Sequence, residues 1–171
     1  MTLLDEIVLQ SQIAIRAFDR LNNTVHFNRT DQIDVWGSIQ SVLIASGNVS
    51  KILWPSYSKY KDRGKQLRDY LKIEKNNILS SRKFRNYFEH FDERVEERFN
   101  HTPSGVYIDR QINPSLNKLF NDPEPSCQRG YNTFDNTLIF NGEVLDVKEV
   151  IKSLEAILKY IKVNNITLNW K

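Results

Sequence analysis

A chain of 171 residues, 40% hydrophobic and 26% charged, is long enough to bury a core of its own and reads as one globular domain spanning 1–171. Its single cysteine, Cys127, excludes an internal disulfide and suits a reducing cytosol, and no apolar run approaches the length of a membrane span. Residues 1–10 have neither the basic start nor the small-residue cleavage site of a signal peptide, so the expected setting is cytoplasmic, away from membranes.

The first helix is expected over 2–26, where Leu4, Ile7, Val8, Ile15, Phe18, Leu21 and Val25 form one stripe. His26 at its end suits a capping or surface role, since cations are favoured at helix C-termini. Thr30 or Asp31 can cap a second helix over 31–53. Its inward face would hold Val35, Trp36, Ile39, Val42, Leu43, Val49, Ile52 and Leu53, and Gly37 and Gly47 would allow a neighbouring helix to come close. Trp54-Pro55 stops it, because proline disfavours the helical conformation in the residue before it.

A third helix is expected at about 58–73, with a thin apolar set of Tyr57, Tyr60, Leu67, Tyr70, Leu71 and Ile73. Asn76-Asn77 ends it and caps a fourth, over 78–100. There Phe84, Tyr87, Phe88, Phe91, Val95 and Phe99 recur at helical spacing. These helices make a bundle core over 2–101.

Residues 102–146 break the periodicity with Pro103, Pro114, Pro123, Pro125, Gly105 and Gly130, an excursion anchored by Val106, Tyr107, Ile108 and Ile112. It closes on a β-hairpin, Thr137–Phe140 and Glu143–Leu145, joined by the Asn141-Gly142 pair that a type I′ turn demands. Asp146 and Glu149 then form a capping box for a last helix over 147–163, ended by Asn164-Asn165. The tail 166–170 is a short strand or loose. The fold expected is mainly α, a four- to five-helix bundle with one small β-hairpin.

Charge is unevenly placed. Residues 51–85 carry eleven Lys and Arg against Asp62, Asp69 and Glu74, a net +8, and residues 86–101 reverse the sign with five carboxylates against Arg94 and Arg98. Lys61, Arg63, Lys65, Arg68, Lys72, Arg82 and Lys83 are the candidates for binding a phosphate backbone. The alternative is a solvated face paired with the acidic helix that follows.

Phosphate loops, dinucleotide fingerprints and nucleophile elbows are absent, and the chain lacks the repeated Glu-x-x-His motif of a di-iron bundle. Glu89, His90 and Glu93 alone make a poor metal site, so neither a metal nor another cofactor is expected. What remains is Arg85-Asn86-Tyr87-Phe88-Glu89-His90. Late in a helical array, this stretch resembles the HEPN superfamily, whose members carry an Arg-x(4–6)-His motif with Asn, Asp or His directly after the arginine.

The resemblance implies a metal-independent ribonuclease, with RNA or nucleotide as ligand and a homodimer that brings two motif helices together. His90 would serve acid–base chemistry at the ribose 2′-hydroxyl or the leaving oxygen, Arg85 would hold the scissile phosphate, and Asn86 would orient His90. On one straight helix Arg85 and His90 lie roughly 140° apart, so a long arginine or a second copy of the helix is needed to unite them. Two alternatives stay open. One is a non-catalytic HEPN-like interaction module of a defence or toxin–antitoxin system, with an antitoxin-like protein partner. The other is a structural helical protein in which Arg85 pairs with Glu89 and Arg94 with Glu97.

Overall fold

The computed structural model describes residues 3–26, 31–101, 109–113, 128–140 and 142–166. The side chain of His26, the anchors Val106, Tyr107 and Ile108, the prolines of the excursion, Cys127, Asn141 and the tail beyond Ile166 lie outside the described residues. Helix α1 (Leu3–His26) and helix α2 (Gln32–Leu53) form the central pair. Arg20 donates to Ser38 and Asn48 donates to Gln10, so the two helices run antiparallel. The stripe of α1 is inward, with Ile7, Val8, Phe18 and Leu21 buried. Asp31 caps α2 by accepting from the Ile33 N–H at 2.7 Å. The expected face of α2 is buried throughout except for Trp36, which is half-buried. Gly37 faces open space, so only Gly47 marks a close approach.

A 3₁₀ turn at Ser58–Tyr60 leads into helix α3 (Lys61–Tyr70). This helix ends before residue 73 because Lys72 turns left-handed, at φ 55°. The Ile73 N–H then bonds the Arg68 carbonyl and the Lys72 N–H bonds that of Asp69, satisfying the last helical carbonyls. Its tyrosines are not core residues. Tyr57 is 74% exposed, Tyr70 52% and Tyr60 39%, and Gly64 is the buried residue of α3.

The long helix expected over 78–100 is three elements. Asn77 accepts from the Leu79 N–H to cap a 3₁₀ turn at Ile78–Ser80, and extended Ser81 separates that turn from helix α4 (Lys83–Glu89). Helix α5 (Phe91–His101) follows after a break at His90, where ψ is 40°. Neither glycine nor proline stands at the break, so packing sets it. Phe88 stacks near Trp36 and Phe140, while Phe91, just past the break, lies under the Arg129 guanidinium, 3.8 Å from its ring centroid. Asp92 and Glu93 thereby become first-turn residues of α5, where the helix dipole favours carboxylates.

The expected lone hairpin belongs to a four-stranded sheet, β1 (Gln111–Ile112), β2 (Arg129–Asn132), β3 (Thr137–Phe140) and β4 (Glu143–Asp146), in that spatial order. β1 pairs parallel with β2, and the other neighbours are antiparallel. Gly142 carries the positive φ (78°) that the hairpin turn requires. Tyr131, Leu138 and Phe140 are buried. Helix α6 (Val147–Val163) begins at Asp146, which accepts from the Glu149 N–H at 2.8 Å, and packs Val150, Ile151, Leu154, Ile157 and Ile161 inward, against α1 and the 3₁₀ turn at 78–80. The architecture is mainly α, with six α-helices among the described residues rather than four or five.

Two glycines test this packing. A Cβ on Gly64 would meet Pro55 Cδ at 2.4 Å and the Leu53 carbonyl oxygen at 2.7 Å, and backbone cannot yield cheaply. Gly64→Ala is expected to destabilise by about 1–3 kcal/mol, the usual cost of overpacking. Gly37→Ala, in open space on a helix, is expected to stabilise by about 0.5–1 kcal/mol. Urea unfolding of both variants checks the contrast.

Candidate functional site

The motif residues lie on α4 and at its C-terminal end, on an open surface. Arg85 enters from α4 over the α2 backbone at Gly47. A Cβ there would stand 2.4 Å from Arg85 Cδ, so the absent side chain is the notch that seats the arginine stem. The Arg85 side chain is only 14% exposed, and its guanidinium donates to Glu89. His90, at the break, is 57% exposed, with Nδ1 3.3 Å from Glu93 Oε1. Its N–H donates to the Asn86 carbonyl at 2.9 Å, so Asn86 reaches His90 through the backbone while its own side chain is exposed.

The structure therefore does not join Arg85 to His90 directly. Each holds a carboxylate one helical turn on, and Arg94 pairs with Glu97 as its spacing suggested. The cavity beside Arg85, lined in part by Ser46, Gly47, Arg82 and Phe84, has a volume of about 30 Å³, enough for one water molecule and far below a small-ligand pocket.

The seven basic candidates divide by partner. Lys61, Lys65 and Lys72 are exposed. Arg63 lies over Tyr60, 4.8 Å from the ring centroid. Arg68 covers Trp54 and donates to the Leu53 carbonyl, which makes it a clamp on the end of α2. Arg82 donates to Ser56 at 2.8 Å. Lys83 pairs with Glu143 at the hairpin turn, and the other oxygen of that carboxylate accepts from Tyr87. Glu143, which sequence reasoning missed, thus tethers α4 to the sheet. Partners so distant along the chain leave no local signal.

The chain matches no protein-family model, no curated protein and no solved structure. Among the described residues, no three His, Cys, Asp or Glu side chains gather as a metal site would require, and no helix is long and apolar enough to cross a membrane.

The tether is titratable. The hydrogen bond from Lys83 holds the Glu143 carboxyl below its ordinary value of 4.5, and the same bond raises Lys83. A lowered folded value means stabilisation that is complete above the unfolded value and is lost as pH falls through the folded one. Glu143→Gln is expected to lower Tm slightly at pH 7, as befits an exposed pair, and not at all once acid has protonated the parent carboxyl. Thermal unfolding of both proteins from neutral to acid pH reads this directly. A difference that does not change with pH would assign the effect to something other than charge.

Proposed function

We propose that this chain is a HEPN-like RNA-binding protein that cleaves RNA without a metal, using Arg85, Asn86 and His90. The observation that supports this reading best is the seat of Arg85. The fold omits a side chain at Gly47 where the arginine stem crosses α2, seating Arg85 on the helix that an exposed His90 terminates. A surface ion pair alone requires no such notch. The small volume beside Arg85 favours a polymer lying across the surface over a free nucleotide.

In this reading the neutral His90 takes the proton of a ribose 2′-hydroxyl, whose oxygen attacks the adjacent phosphorus as the bond to the 5′-oxygen breaks. The protonated His90 of a second copy gives its proton to the leaving oxygen. Arg85 exchanges the Glu89 carboxylate for the phosphate, where its charge opposes the negative charge that develops. A homodimer across α4 supplies the second histidine.

One observation favours the non-catalytic reading. Arg85 and His90 already face carboxylates, Glu89 and Glu93, as they would on a protein-binding surface laced with polar pairs.

Incubation of a mixed RNA with the parent, His90→Ala, Arg85→Ala and Gly47→Ala in EDTA decides between them. Loss of acid–base catalysis is expected to slow cleavage about 10²–10⁴-fold in His90→Ala. Gly47→Ala, by displacing Arg85, is expected to cost about 10²-fold, as small misplacements in catalytic sites do, with its helical circular dichroism unchanged. Equal behaviour of all four proteins would leave a binding module or a structural protein.

A further inference from the structure

The surface beside the motif carries more than charge. Tyr57, the residue before the 3₁₀ turn at Ser58–Tyr60, is 74% exposed, and Tyr60 at the end of that turn is 39% exposed. Lys59 Nζ and Arg63 Cζ lie 4.7 Å and 4.8 Å from the Tyr60 ring centroid. No residue of the 3₁₀ turn is buried, so the Tyr60 ring, like Tyr57, is not a core contact. Two exposed rings with cations close to one of them suit single-stranded nucleic acid, because bases stack on rings while phosphates meet cations. A duplex keeps its bases stacked on one another and offers only its backbone to such a surface.

The position of this patch gives it a purpose. Ser56, next to Tyr57, accepts a hydrogen bond from Arg82 at 2.8 Å, and Arg82 immediately precedes α4. Arg82 and Arg85 also line the same small cavity. A basic track therefore runs from Tyr60 and Tyr57 across Ser56 and Arg82 to Arg85. On the far side of His90 stand Asp92 and Glu93, which repel phosphate.

We infer that Tyr57 and Tyr60, with Arg63 and Arg82, form a single-strand RNA platform that feeds the backbone toward Arg85. The inference deepens the proposed function, on which it rests for the choice of RNA over DNA. Bases upstream or downstream of the scissile phosphate stack on the tyrosines, so substrates are unpaired at a flanking position rather than read in a duplex.

The test is fluorescence-anisotropy binding of a labelled single-stranded RNA and of a duplex of the same length, all in the His90→Ala background so that nothing is cleaved. Single-strand binding is expected to exceed duplex binding, and to weaken about tenfold in Tyr57→Ala/Tyr60→Ala, in line with loss of base stacking. Tyr57→Trp, which keeps a stacking face, is expected to retain binding, whereas a structural role for the phenol would not tolerate it. Arg82→Ala is expected to weaken binding and flatten its salt dependence. Preference for duplex, or single-strand binding that ignores the tyrosine substitutions, would overturn the platform and leave the catalytic reading standing. Tyrosine-dependent binding beside a parent that never cleaves would keep the platform and remove the catalysis.

Discussion

The cross-strand pair of Arg129 and Phe140 is the contact on which the geometry of the motif depends. They face each other across β2 and β3. Phe140 is fully buried, with the Tyr87 and Phe88 rings 4.9 Å and 5.8 Å away, and Arg129 lies over Phe88, Phe91 and Trp36. Asp109 accepts two hydrogen bonds from Arg129, which fixes the plane of the guanidinium. Aromatic pairs of this kind are worth about 0.5–1.5 kcal/mol each beyond their buried area. One strand pair thus holds α2, α4 and the start of α5 together. The sheet is not a decoration on a helical bundle, because it makes the floor on which Arg85 and His90 are presented.

That floor explains the charge pattern. A continuous helix through residue 90 would place Asp92 and Glu93 in mid-helix, beside the histidine and with no structural reason to be acidic. With the break, they stabilise the N-terminus of α5. The same break leaves His90 exposed at the end of α4, with Arg85 paired to Glu89 before it and Asp92 and Glu93 in the first turn after it.

Local chemistry made much of this legible. Asp31, Trp54-Pro55, Asp146 and Asn164-Asn165 each act within a few residues, and α2 and α6 begin and end where those signals lie. The Gly142 turn is likewise a local demand on φ. What could not be read was set at a distance. The His90 break has no breaker residue and follows from rings meeting Arg129, and the parallel pairing of Gln111 with Gly130 spans a segment without periodicity. Tyr57, Tyr60 and Tyr70 belong to the thin apolar set of the expected third helix, yet among the described residues they stay at the surface. Gly47 was legible as a place of close approach, but not that an arginine stem rather than a helix would fill it.

The carboxylates beside Arg85 and His90 follow from the same constraint. An arginine whose stem is seated in a notch, its side chain only 14% exposed, has few directions left to water, and leaving its charge without a partner would be costly. Glu89, one turn on, supplies that charge in the resting protein and is itself 40% exposed, so it can return to water at little cost when another anion arrives. In the proposed reading, a phosphate approaching along the Arg82 side would replace one anion by another at an arginine already in position. Little reorganisation is then asked of Arg85, since Gly47 has fixed the stem and only its partner changes. On that proposal, the ion pair that looks like a closed surface would also keep a seated arginine ready for an incoming backbone.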